Sequence, residues 1–115
     1  MYVNDAIGFR MTPEQGLYYS PNCFGTADAI SFENGFLRIH DLKTGTTKAS
    51  FSQLHVYAAL FCHEDDIRPG SIDGEFRIYQ NDDKMIEPYD PEKILYVMQK
   101  IEKFDKQIEK MKVEW

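Results

Sequence analysis

Two apolar-rich stretches flank Asn34-Gly35, an arrangement that predicts a tight antiparallel hairpin because both turn residues tolerate positive φ. Beyond the turn, alternation with period two puts Leu37, Ile39, Asp41 and Lys43 on one face of a strand and Arg38, His40 and Leu42 on the other. From Ser50 to Cys62, good helix formers carry apolar residues at Leu54, Ala58, Phe61 and Cys62, spaced by threes and fours, which predicts a helix. Gln53 and Tyr57 are four apart and share a face of it. Arg68-Pro-Gly-Ser breaks the pattern, and Gly74 to Gln80 then alternates as a third strand, expected beside the Asp41 strand. A turn over Asn81 to Asp83 and a short extended piece around Met85-Ile86 follow. Asp90-Pro91 starts a helix over 90–115, with an N-cap acceptor and a proline whose missing N–H costs nothing there. Its stripe of Ile94, Val97, Met98, Ile101, Phe104, Ile108 and Met111 reads as core, with last turns that reach past a small domain toward a partner chain. Residues 1–24, including Tyr18-Tyr19-Ser-Pro-Asn, read as a loop or extended lead-in to a strand carrying Asp28.

The order strand, strand, helix, strand, helix predicts a mixed α/β (α+β) fold, a small mixed sheet of about three to four strands flanked by helices. With 115 residues, 43% of them hydrophobic and 14% aromatic, one domain over 1–115 is expected. No signal peptide, no membrane-length apolar stretch and no disulfide-dense pattern is visible, so the expectation is a cytoplasmic protein with reduced thiols and no membrane partner. Cys23 and Cys62 read as packing residues.

A net charge of −6 weighs against a broad, sequence-independent nucleic-acid binder, which needs a basic surface to release counterions from phosphates. Many of the acids fall in Glu64-Asp65-Asp66, Asn81-Asp82-Asp83 and the last helix. The first two runs lack the glycine and terminal glutamate of a calcium loop and read as solvated loops. Between Arg38 and Lys48, Arg38, Lys43 and Lys48 stand against Asp41 alone, which predicts a local positive lip. His40, His55 and His63 have no metal-ligand spacing with one another, and His40 reads as a packing or surface residue.

Candidate chemistry gathers in residues 25–62. The hairpin sets Asp28 and Asp41 on adjacent strands, and Asp41 shares its face with Lys43. Two carboxylates, helped by a backbone carbonyl such as that of Leu42, can hold one hard cation that also binds a substrate phosphate. A lysine one residue beyond the ligand can orient a water and offset charge developing at phosphorus. A bare Asp-x-Lys is usually only an ion pair at a strand end. The Gly-Thr-x-Asp upstream and the Gln-x-x-x-Tyr downstream shift the balance toward a site, since the helix carries Gln53 and Tyr57 toward the same strand end.

The run Gly25-Thr-Ala-Asp28, Asp41-Leu-Lys43-Thr-Gly and Gln53-x-x-x-Tyr57-Ala resembles the RecB-like branch of the PD-(D/E)XK nuclease superfamily, and is similar to phage-encoded exonucleases related to the CRISPR-associated four-cysteine nucleases. The resemblance implies a restriction-endonuclease-like core and a metal-dependent DNA nuclease, an exonuclease, in phage or bacterial DNA processing or recombination. It implies that Asp28 and Asp41 bind Mg²⁺ or Mn²⁺, that Lys43 assists the attacking water, and that Gln53 and Tyr57 lie near the DNA backbone, with Lys48 as a further nucleic-acid contact. Two departures stand out. Family members open with a longer helical region whose inward histidine or glutamate completes the metal site, whereas here the only candidates before Asp28 are Asp5 and Glu14, among Gly8, Pro13, Gly16 and Pro21. Two cysteines also fall short of the thiolates an iron–sulfur cluster takes, so no cluster is expected. The alternatives are a catalytically incomplete nuclease-fold module that binds DNA or a protein partner, and one part of a split or homo-oligomeric nuclease.

Overall fold

A computed structural model of the chain describes residues 1–46 and 48–113. Five strands, β1 (Thr12–Ser20), β2 (Cys23–Glu33), β3 (Phe36–Leu42), β4 (Asp73–Gln80) and β5 (Asp83–Pro88), form one sheet in the order β1-β2-β3-β4-β5. All neighbours are antiparallel except β3 and β4, which run parallel. The exception follows from the helix α2 (Ser52–Glu64) between them, because a parallel pair needs a crossover long enough to return to the starting edge. Asn34 and Gly35, at φ 54° and 75°, make the expected hairpin turn between β2 and β3, and Asn81 and Asp82 repeat the device between β4 and β5.

Helices α2 and α3 (Pro91–Val113) pack together on one face of the sheet. There Leu37, Ile39, Phe76 and Ile78 meet Leu54, Ala58, Leu60 and Ile94, all essentially sealed from solvent, and each large side chain contributes roughly 1.5–3 kcal/mol by burial. The short helix α1 (Tyr2–Gly8) covers the other face. Tyr2 packs edge-on against Tyr79 with centroids 5.5 Å apart. Phe9, just after α1, meets His40 at 5.9 Å and carries the Arg38 guanidinium 4.0 Å above its ring.

Three expectations change. The lead-in over 1–24 contains α1 and β1, which hydropathy alternation did not mark: β1 holds Pro13 and Gly16 and buries only Leu17. As an edge strand it tolerates a proline whose missing N–H would break a central ladder. The extended piece at Met85-Ile86 is a full edge strand, so the sheet has five strands rather than three to four. On α3 the stripe is core only at its start: Ile94 and Ile101 are buried, whereas Phe104 and Met111 stand more than half exposed beyond the sheet. The last two residues expected in that helix lie outside the described residues.

Candidate active site

The site forms where the sheet comes apart. The β2–β3 ladder runs from Glu33↔Phe36 to Ala29↔His40 and ends there. Next along, the Leu42 N–H donates to the Asp28 carboxylate oxygen Oδ2 at 2.9 Å. Meanwhile β3 stays with β4, where the Lys43 N–H donates to the Tyr79 carbonyl at 2.8 Å, and β2 stays with β1 as far as Cys23. The two central strands therefore part beside Asp28 and Asp41. The first turns of α2 lie against this opening, and Gly25 permits the approach: a β-carbon there would sit 2.9 Å from Tyr57 Cε1.

Asp41 is only 6% exposed. Lys43 Nζ lies 2.9 Å from Asp41 Oδ2 and 3.2 Å from Gln53 Oε1, and Gln53 Nε2 in turn donates to the Tyr57 hydroxyl at 2.7 Å. Four of the five expected side chains thus form one chain of contacts, and the fifth, Asp28, joins through Leu42 and through its influence on Asp41. Although the ammonium is close, it approaches obliquely, and the buried Asp41 Oδ2 receives no directed hydrogen bond. Burial, then the neighbouring Asp28 carboxyl, pushes the Asp41 carboxyl above its ordinary range, and the Lys43 ammonium only partly offsets them. Contact with Asp41 raises the Lys43 ammonium, so it stays charged. The Tyr57 phenol is raised by burial and by the two acids.

Such a set suits a hard, oxygen-loving cation. Asp41 presents a buried oxygen held by the Lys43 ammonium at 2.9 Å without a directed hydrogen bond, and Asp28 lies beside it. Among the described residues, no three histidine, cysteine, aspartate or glutamate side chains converge on one point. Leu42, expected to help through its carbonyl, ends β3 between Asp41 and Lys43 and serves Asp28 through its N–H. Lys48 is exposed, and none of the contacts among the described residues ties it to this network. The positive lip is not assembled as expected, because alternation sends Arg38 to the α1 face, where it pairs with Glu75. The acid of α1, Asp5, is engaged on that face too, accepting from Tyr79 at 2.7 Å. His55 and His63 hold structural partners, Glu87 Oε2 at 3.0 Å and the Met98 carbonyl at 3.2 Å.

One neighbour of the site escaped sequence reasoning. The Tyr2 phenol lies near enough to Asp28, Asp41 and Glu14 that, after burial, their charges raise its pKa. Nothing in a short helix without a capping residue marks such a placement in advance.

No family model matches the chain, and no curated protein matches it. Among solved structures it is similar to one described as the crystal structure of SSO0001, at 14% identity and a TM-score of 0.47, over 85% of this chain and 54% of that one. The chain thus spans about half the length of that structure's chain. At that identity and score the likeness carries no argument about activity.

Proposed function

We propose that this chain is a divalent-metal-dependent DNA nuclease that hydrolyses phosphodiester bonds, acting as an exonuclease in phage or bacterial DNA processing within the cytoplasm. One observation carries the reading: Asp41 is held buried against Asp28 and Lys43 with an oxygen that lacks a directed hydrogen bond, at an opening between two strands. Held by the Lys43 ammonium at 2.9 Å but without a directed hydrogen bond, that oxygen carries a cost of up to about 1–3 kcal/mol that a shared cation would offset.

In this reading Asp28 and Asp41 hold Mg²⁺ or Mn²⁺. When bound, the cation supplies a polarised phosphoryl oxygen and a water acidic enough to attack phosphorus. Lys43, kept cationic by Asp41, orients that water and offsets the charge that grows on the phosphoryl oxygens as the water oxygen bonds to phosphorus and the leaving oxygen departs. The Gln53 amide oxygen accepts from that ammonium. Tyr57, with its hydroxyl accepting from Gln53, faces the backbone of the bound strand. The net charge of −6 agrees with phosphate binding through a small patch and a cation rather than a broad basic surface.

The test is loss of end-labelled DNA by purified protein with Mn²⁺ or Mg²⁺. Asp41→Ala and Lys43→Ala are each expected to abolish it, and unchanged turnover in both would remove the proposal. Linear DNA lost while closed circles survive marks the exonucleolytic mode. If the protein instead works as a homo-oligomer that completes the site between chains, its solution mass exceeds that of one chain and activity falls on dilution.

A further inference from the structure

We propose that the groove between α2 and α3 docks an acidic amphipathic helix of a partner protein, independently of the cation site. Its floor is apolar. Val56 of α2 and Tyr96, Val97, Ile101 and Phe104 of α3 line a cavity of about 550 Å³ there. Val97, Phe104 and Met111 recur at intervals of seven, so they form one apolar row along the helix. The row runs out of the core uncovered, since Tyr96, Phe104 and Met111 are each more than half exposed.

Charge on α3 is sorted by side. The three acids of its second half point elsewhere: Glu102 lies 3.8 Å from His63 Nε2, Asp105 accepts from Ser20 at 2.6 Å, and Glu109 accepts from Asn22 at 2.8 Å. The lysines gather at the groove instead. Lys93 and Lys100 border the cavity, and Lys103 and Lys110 follow Tyr96 at intervals of seven along its outer rim. Lys93 shares Glu87 with His55, and Lys100 rests 5.0 Å from the centre of the Tyr96 ring. Lys100, Lys103 and Lys110 form no ion pair among the described residues. In a chain of net charge −6, an exposed apolar row bordered by uncommitted lysines calls for a ligand that is apolar and anionic at once.

An acidic amphipathic helix laid into the groove supplies both parts. The phosphates of a nucleic acid would meet the lysines and leave the apolar row in water. A lipid surface takes apolar side chains from a crest, whereas Val97 and Ile101 lie on the floor of a recess. A second copy of this chain would bring the same lysines to the interface, where like charges oppose docking. From Lys93 to Met111 the face is roughly 27 Å long, about five turns. That length suits a partner helix of about 18 residues with leucine or phenylalanine on one stripe and glutamate on both flanks.

Two synthetic helical peptides of about 18 residues, sharing that apolar stripe but flanked by glutamates in one and lysines in the other, test this by fluorescence anisotropy on the full chain. The acidic peptide is expected to bind at least about tenfold more tightly than the basic one. Phe104→Glu is expected to weaken it about tenfold or more, while Val3→Glu on α1 leaves it unchanged. Both positions are exposed, so folding is not at stake. Joint Lys100→Glu and Lys103→Glu substitution is expected to reverse the preference in favour of the basic peptide. Equal binding of the two peptides, binding of neither, or wild-type affinity in Phe104→Glu overturns the proposal. Binding to phosphatidylserine vesicles or to DNA that Phe104→Glu abolishes gives the face to that surface and overturns it too. So does a concentration-dependent dimer that the same variant dissolves.

Discussion

His40 and Asp41 are successive residues of β3 on opposite faces of the sheet; each is buried, and each keeps a polar atom without a directed hydrogen bond. Their surroundings set them apart. His40 lies between the rings of Phe9 at 5.9 Å and Tyr79 at 5.2 Å. Burial, reinforced by the Arg77 cation, drives its imidazole down to about 4, so it is a neutral ring serving as filler. Asp41 faces an opening that Asp28, Lys43, Gln53 and Tyr57 also approach, and its carboxyl is pushed up instead. An unmet polar atom becomes a site when other groups can share a ligand with it. Sealed among rings, it is only a cost that packing offsets.

The largest expected effect separates the two residues directly. Asp41→Asn keeps the shape and removes the charge, and DNA cleavage is expected to fall roughly a thousandfold, while the melting temperature holds or rises as a buried, crowded carboxylate is removed. His40→Ala should do the reverse. The cavity is expected to cost about 2–4 kcal/mol, or a melting temperature lower by roughly 10 °C, with metal-dependent cleavage by the folded fraction retained. His40→Leu, which fills the space, is expected to stay within about 1.5 kcal/mol of wild type. Loss of cleavage in His40→Leu would erase the distinction between the faces.

Acidity sharpens the comparison because the two signs differ. The folded pKa of His40 lies below its unfolded value, so the unfolded chain binds the extra proton and stability is lost as pH falls from 6.5 toward about 4. His40→Leu is expected to flatten that part of a melting-temperature profile. Asp41 has a folded pKa above its unfolded value, so its contribution is present at low pH and is lost as pH rises through the carboxylate range. The stabilisation measured for Asp41→Asn over wild type should therefore be largest near neutrality and shrink toward pH 3.8, the ordinary value.

The same contrast explains what the sequence disclosed. The faces of β3 were legible because alternation is local: Asp41 with Lys43, and His40 with Arg38, follow from counting by two. The meeting of Gln53 with Lys43 was legible because helix spacing by four and a crossover back to the sheet leave few alternatives. The place of β1 beside β2 was not, since β1 is an edge strand with a proline, a glycine and one buried side chain, and its register depends on pairing rather than hydropathy. Nor was Tyr2 legible, because its place depends on how a short helix lies across the far face. The lip of Arg38, Lys43 and Lys48 failed for a reason already in the chain, since an odd and an even position on a strand cannot share a face.

The smallest expected effect tests whether the opening between β2 and β3 is shaped for Tyr57 or merely tolerates it. Gly25 keeps an ordinary backbone, so its value lies in space: a methyl group would meet the Tyr57 ring at 2.9 Å, closer than carbon atoms rest without something shifting. The ring yields by moving its hydroxyl, which accepts from Gln53 at 2.7 Å, and the Gln53 amide oxygen in turn accepts from the Lys43 ammonium at 3.2 Å. Gly25→Ala should therefore cost about 1–2 kcal/mol in denaturant unfolding, and cleavage should fall roughly tenfold with little change in Mn²⁺ affinity, since neither aspartate is touched. A matched loss of Mn²⁺ affinity would mean that the strands themselves had shifted, and that the helix and the carboxylates form one rigid unit rather than two adjoining ones.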